Sequence, residues 1–290
     1  MNKKITESIT IKRFKKFIRF LILFFLLVIF IRAFFLGAFQ IPTSSMADTL
    51  LPGDFIIVNL AAYKITTPAT IPIVGIPFYS INLFNTGTPG LNDLVLINFP
   101  DSYSGEFSNS GTNIIKRIVA GPVDTLQITD KKIFVNSVEL KLPLTIKRSF
   151  DQIKPSGAED NEIFYEASGW NSDNYGPLIV PSRGDTIQIT ADNIRVWKHL
   201  IVHEYKEKVV REEGSVITIN GKPVREYVIK KEHYFVIGDN FNNSRDSRYF
   251  GFINEDMIVG NVMFIYWSMS PENNNSLVSR IRWERIFKGF

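Results

Sequence analysis

The run FLILFFLLVIFIRAFFLGAFQIPTSSMADTLLPGD, from Phe20 to Asp54, decides the architecture. Its first twenty residues, Phe20 to Phe39, are apolar except for Arg32. As a helix, twenty residues span about 30 Å, the thickness of a hydrocarbon core. Arg32 lies near the far end, where a long basic side chain reaches back to the headgroups. The next fifteen residues are not a flexible polar linker. Gln40 to Asp54 is apolar, turned by prolines and rich in hydroxyls, the composition of a pocket wall that carries a nucleophile.

Residues 1–19 hold seven Lys and Arg against Glu7 alone, so they carry +6, and with a net charge of +4 the remainder is −2. A basic flank before an apolar span predicts a cytoplasmic N-terminus, with everything after Phe39 on the opposite side. A cleaved signal peptide is the competing reading. The apolar run before Arg32 is 12 residues, and Gly37 and Ala38 are small. The charge asymmetry also means that the pI near 9.1 reflects the tail and no nucleic-acid surface. The chain has no cysteine, which removes disulfides, thiolate metal sites and cysteine nucleophiles.

Beyond the span the pattern is that of strands. DFIIVNLAAY, DLVLINF, IIKRIVAG, TLQIT, KIFVNSV, TIQIT, GSVITING, HYFVIGDN and IVGNVMFIYWS are short and rich in Val, Ile and aromatics. INGKPV has the composition of a hairpin turn. Ala191 to Glu207 is the one weak helical candidate. The expected fold is mainly β: a transmembrane helix, then an extracytoplasmic multi-sheet antiparallel domain over 40–290. Its core covers about 40–125 and 232–290, with a second lobe inserted at about 126–231. Thr66 to Phe84 is apolar but broken by prolines. It reads as a loop packed on the core or lying on the bilayer, and packing is the expectation adopted. SRIRWERIFKGF at the end suits an interfacial contact or a solvated closing element.

A serine nucleophile needs a base. His199 and His203, in WKHLIVHEYKE, share a helix face at four-residue spacing, but no H-E-x-x-H arrangement accompanies them, and a helix-surface pair is expected. His233 reads as a strand-boundary residue. Lys116, in TNIIKRIVAGP, is the other candidate, and strand alternation taken alone points it to solvent. If buried, its pKa falls from about 10.4 by as much as ~3–5 units, and a Ser–Lys dyad needs neither histidine nor metal.

FQIPTSSMADTLLPGDFIIV, NDLVLINFP, IIKRIVAGPVDTL and YFVIGDNFNNSRDSRYFGFI, in that order after a membrane span, resemble the successive boxes of the bacterial type I signal peptidases, membrane-bound Ser–Lys endopeptidases. The resemblance implies Ser45 as nucleophile and Lys116 as general base. Thr43 and the Ser45 N–H would hold the oxyanion, and Ser244 would orient the lysine. Gly238, Asp239, Asn240, Asp246 and Arg248 would support the site. Phe39, Ile41, Met46, Ile114 and Ile115 would line pockets for an Ala-X-Ala preference, although core packing explains each of them equally well. The partners implied are signal peptides of exported preproteins and the lipid bilayer of the cytoplasmic membrane, with no cofactor and no metal.

The chain departs from the family pattern at several points. Asp48 stands at a usual proline, Leu91-Asn92-Asp93 at an Arg-Gly-Asp-like turn, Val123 at a glycine, and Phe241-Asn242 at an Arg-Asp pair. Two other readings stay open. A Ser–Lys protease devoted to a pilus or conjugation component would ignore ordinary preproteins. A tethered binder without turnover would have no need to retain Ser45, Lys116, Thr43 and Ser244.

Overall fold

The structure, a computed structural model, describes residues 2–68, 80–99, 113–143, 146, 150–165, 168–205, 210–213, 216–271 and 278–290. Helix α1 covers Asn2–Phe34, and its segment Arg13–Phe34 is long and apolar enough to cross a membrane. The chain then forms β1 (Leu36–Gln40), β2 (Asp54–Asn59), β3 (Lys64–Thr66), β4 (Asn82–Asn85), β5 (Leu94–Asn98) and β6 (Asn113–Ala120). Next come β7 (Thr125–Thr129), β8 (Lys132–Val135), β9 (Val138–Glu139), β10 (Tyr175–Ile179), β11 (Thr186–Gln188) and helix α2 (Ile194–Tyr205). The remainder is β12 (Val210–Glu213), β13 (Val216–Ile219), β14 (Lys222–Pro223), β15 (Glu226–Val228), β16 (His233–Ile237), helix α3 (Ser247–Phe250), β17 (Ile253–Asn254) and β18 (Ile258–Ser268). The fold is mainly β and antiparallel, as the strand-like segments imply.

The helix ends five residues before the expected Phe39. Leu36–Gln40 instead pairs with β2, Leu36 against Asn59 and Gln40 against Phe55. An apolar run carries no marker that separates helix from buried strand, and the open edge of β2 offers the ladder that decides it.

One seven-stranded sheet, in the order β1-β2-β18-β5-β6-β16-β17, takes its strands from residues 36–120 and 233–268. Strands between Thr125 and Val228 form smaller sheets of their own. The two regions nevertheless share a core. Val119, Phe235 and Ile237 of the large sheet cluster with Ile133, Leu178, Ile201 and Tyr227. The hairpin expected in INGKPV is present, with Asn220 at φ +51° and Gly221 at φ +73°, values that these residue types adopt most readily.

The centre of the large sheet is covered on both faces. On β5, Val95 and Ile97 pack into one cluster while Leu94 and Leu96 pack into another, as period-two alternation requires. On β6, Ile118 joins the first face and Ile115 the second. This double covering overturns the solvated reading of Lys116, because from Ile115 to Ala120 neither face of β6 meets water and Lys116 is only 2% exposed.

The proline-broken stretch is described only at its two ends. Residues 69–79 lie outside the described residues. Of the described part, residues 66–68 are half-buried and residues 80–84 are exposed. The terminal segment divides its duties: Arg285 is buried, while Trp283 and Phe287 face outward.

Candidate active site

Ser45 sits in a loop closed at its base by Ile41 N–H donating to Asp54 O (2.8 Å) and Gly53 N–H to Ile41 O (2.9 Å). Inside it the chain folds into tight turns, Ala47 N–H to Ser44 O (2.9 Å) and Leu50 N–H to Met46 O (2.7 Å). Asp48 has φ +80°. A proline, held near −65°, has no access to that conformation, so the family's proline is incompatible with this turn.

Lys116 Nζ stands 2.7 Å from Ser45 Oγ. Burial lowers the lysine pKa from 10.5 to about 8, with the nearby Arg248 pushing the same way and Asp246 and Asp239 resisting. The shift disfavours the charged amine by roughly 3 kcal/mol. At pH 7 about one molecule in ten then carries a neutral amine, against about one in 2,500 for a free lysine. The pair is therefore a hydroxyl in contact with an amine able to accept its proton.

The end of β16 presses against this pair. Asn240 N–H donates to Ser45 O (3.1 Å), Asn240 Nδ2 to Ser44 O (3.0 Å), and Asp239 N–H to Met46 Sδ (3.4 Å). Glycine is required at 238 by close approach. A Cβ there would overlap Ser244 Oγ and lie 2.5 Å from Ser45 O. Gly238 N–H donates to Asp246 Oδ2 (3.1 Å), whose carboxylate is bound by Arg248 Nε and Nη2, each at 2.8 Å. The Arg248 guanidinium lies 3.9 Å from the centre of the Phe241 ring and donates to Phe241 O (2.7 Å). Phe241 thus supplies a cation–π platform where the family pattern has arginine.

Arg117, which no sequence motif singles out, forms a bidentate buried pair with Asp239: Nε to Oδ1 at 2.8 Å and Nη2 to Oδ2 at 2.7 Å. Its one signal is its position. A basic residue next to Lys116 on a strand points to the opposite face, and both faces are apolar. Asp54 is a second supporting residue that sequence reasoning misses. It accepts from Leu51 N–H (2.7 Å), Ser268 Oγ (2.6 Å) and Arg285 Nη2 (2.6 Å), and Arg285 Nη2 also donates to Thr49 O (2.9 Å). No local pattern links residues 231 positions apart.

Ser244 is buried beside Gly238, but its Oγ makes no hydrogen bond. The expected bond to the lysine is not formed; among the described residues the amine contacts the hydroxyl of Ser45 alone. Thr43 is exposed two residues before Ser45. Of the expected pocket residues, Ile41, Met46, Ile115 and the half-buried Phe39 share one cluster. Ile114 does not join them. Alternation along β6 turns it to the other face, where it packs with Val95 and Ile97.

The histidines stand apart from the dyad. His203 is buried on α2, not on its surface as expected, and burial pushes it down to about 3. His233, the first residue of β16, is pushed down to about 4 by the same cause. Among the described residues no group of three His, Asp or Glu is placed to hold a metal.

Two further departures fall at left-handed backbone positions. Asn92 and Val123, each at a position where a glycine was expected, have φ +71° and +62°. Asparagine tolerates the left-handed region, whereas a β-branched valine there is strained.

The family model described as signal peptidase, peptidase S26, matches residues 14–175 and 178–267. The chain belongs to that family. This S26 peptidase is 30% identical over 272 residues to a signal peptidase I of Buchnera aphidicola subsp. Baizongia pistaciae, covering 90% of this chain and 79% of that one. It is 26% identical over 292 residues to a signal peptidase I of Aquifex aeolicus, covering 89% and 88%. A crystal structure of a signal peptidase I from Enterococcus faecalis aligns over 60% of this chain and 96% of that chain at 18% identity, with a TM-score of 0.26. Membership makes this chain a serine peptidase, and its N-terminal helix fits the membrane association of the family.

Proposed function

We propose that this peptidase removes signal peptides from exported preproteins, with Ser45 as nucleophile and Lys116 as general base. The observation that carries the assignment is the 2.7 Å contact between Ser45 Oγ and a buried lysine amine whose pKa lies near 8.

Neutral Lys116 takes the Ser45 proton as Oγ attacks the carbonyl carbon of the scissile bond. The resulting oxyanion is held by the Ser45 N–H and by Thr43 Oγ1; one such donor is typically worth ~3–4 kcal/mol. The Lys116 ammonium then protonates the leaving amine as the C–N bond breaks, which leaves an acyl ester on Ser45. Lys116, neutral again, takes a proton from water as the hydroxide attacks the ester carbonyl. The C–Oγ bond breaks, Ser45 Oγ recovers a proton from the Lys116 ammonium, and the signal peptide leaves with a free carboxylate. Ser244 Oγ, buried and unpaired at rest, is the group proposed to hold the amine while Ser45 is acylated.

The basic tail orients the anchor with its N-terminus in the cytoplasm, so the β domain faces the far side of the cytoplasmic membrane. Enzyme and substrate then share one bilayer, which raises their effective concentration and fixes the depth of the scissile bond. Cleavage after small residues, as in Ala-X-Ala, is the specificity proposed for the cluster of Phe39, Ile41, Met46 and Ile115.

The test is cleavage of a purified Ala-X-Ala preprotein in detergent by wild type, Ser45→Ala and Lys116→Ala. Cleavage at the expected bond by wild type alone is the expected result. Equal activity in all three would refute the dyad.

A further inference from the structure

The peptide unit that joins Ser44 to Ser45 is held by its oxygen. Ser44 O accepts from Ala47 N–H (2.9 Å), inside the loop, and from Asn240 Nδ2 (3.0 Å), 196 positions away. A carbonyl oxygen only accepts, so the nitrogen end of the Asn240 amide faces it. The Asn240 backbone N–H donates to Ser45 O (3.1 Å), so one residue grips the carbonyls on both sides of the Ser45 Cα. This use of the side chain runs against its local alternative. Asn240 stands at the N-cap of the 3-10 turn Phe241–Asn243, where an asparagine oxygen ordinarily accepts from an N–H of the turn. It makes no such bond. The turn goes uncapped, and the amide reaches across to the Ser45 loop instead.

A peptide unit is planar, and this one is trans, so its C=O and N–H point in opposite directions. Two donors on Ser44 O therefore also set the direction of the Ser45 N–H. Among the described residues no acceptor takes that N–H, which leaves it open to a group that arrives with the substrate. The two holds on the plane differ in kind. Ala47 belongs to the same loop and moves with it. Asn240 belongs to the chain leaving β16, fixed one residue earlier by the buried Arg117–Asp239 pair. The neighbouring Asn243 Nδ2 reaches Ser44 Oγ (3.2 Å) and not the peptide unit.

We propose that Asn240 is a positioning residue for the oxyanion: by holding Ser44 O, its side chain sets the 44–45 peptide plane and aims the Ser45 N–H at the developing charge. The proposal rests on the Ser–Lys reading given above. A donor stabilises an oxyanion fully only when it is oriented before the reaction, because reorientation during it gives back part of the gain. The Ser45 N–H lies in a loop, and the amide of Asn240 supplies the fixed reference that a loop lacks. Asn240 acts through Ser44 and Ser45 and needs no contact with the substrate.

The test uses the full-length protein in detergent as wild type, Asn240→Ala, Asn240→Asp, Asn243→Ala and Ser45→Ala. Asn240→Asp keeps the side-chain shape and removes the donor, and it serves if the truncation unfolds the loop. Cleavage of the Ala-X-Ala preprotein gives kcat and KM. Binding is measured for an Ala-X-Ala peptide aldehyde and for the corresponding alcohol. With the aldehyde, Ser45 Oγ bonds to the carbonyl carbon, the hydroxyl proton passes to Lys116, and the former carbonyl oxygen becomes the anion. The alcohol forms no such bond. Both Asn240 variants are expected to lower kcat by about 10–100-fold at little change in KM, to weaken the aldehyde by the same factor, and to leave the alcohol unchanged. Asn243→Ala is expected to match wild type, and the pH profile of the Asn240 variants to keep its plateau near pH 8. An unchanged kcat in both Asn240 variants would overturn the proposal. Equal weakening of aldehyde and alcohol would mean that Asn240 only keeps the loop folded, and a displaced pH profile that it acts on Lys116; either result overturns it too. Cleavage by Ser45→Ala would instead overturn the Ser–Lys reading beneath it.

Discussion

The large sheet and the second lobe both bury titratable nitrogen bases, and burial pushes each of them the same way. In the sheet, Lys116 falls from 10.5 to about 8; in and beside the lobe, His203 falls to about 3 and His233 to about 4. The chemical outcomes are opposite. A lysine starts too basic to accept a proton near neutrality, and desolvation brings it into the working range. A histidine starts in that range, and the same desolvation removes it, leaving an imidazole that is neutral at every physiological pH. The lysine also faces a hydroxyl, at 2.7 Å. A buried base becomes useful through its starting pKa and its partner together.

The strongest way to break this contrast is to remove its active half. Lys116→Ala is expected to lower kcat/KM by at least ~10³-fold with the fold retained, judged by circular dichroism and preprotein cleavage. A variant within tenfold of wild type would remove Lys116 from the mechanism.

Arginine marks the limit of the comparison, because it does not discharge and must be paired when buried. Arg285→Ala leaves Asp54 buried without its main partner and frees Thr49 O beside the Ser45 loop. A loss of about 3–5 kcal/mol is expected in denaturant unfolding. An unchanged midpoint would mean that other groups satisfy Asp54.

The pH profile sharpens the comparison further. In the proposed mechanism the reactive form of Lys116 is the neutral one, and its pKa is depressed to about 8. Accordingly kcat/KM is expected to rise tenfold per pH unit below ~8 and to level off above it. A rate that is flat between roughly pH 5 and 9 contradicts the assignment. The smallest effect belongs to the lobe: His203→Leu is expected to change kcat/KM at pH 8 by less than about twofold, since it lies outside the dyad's contacts. A large loss there would join the two regions functionally.

The sequence boxes carried the residue types of the site, and the turn chemistry of Asn220-Gly221 carried one hairpin. Other features had no local signature. Leu36–Gln40 is as apolar as the helix before it, and only the open edge of β2 makes it a strand. Arg117 reads as a surface base until Asp239, 122 residues away, is brought against it. Asn92 and Val123 have a left-handed backbone, which valine in particular does not announce in the sequence.

By itself the sequence determined the apolar span, the β character of the chain beyond it, and the identity of a serine and a lysine in boxes of a known order. The tertiary structure decided that β6 is covered on both faces, and hence that the Lys116 amine is desolvated. Alternation along a strand is a local property, whereas desolvation depends on what a distant part of the chain lays over it. The lysine's chemistry was written only when both layers closed.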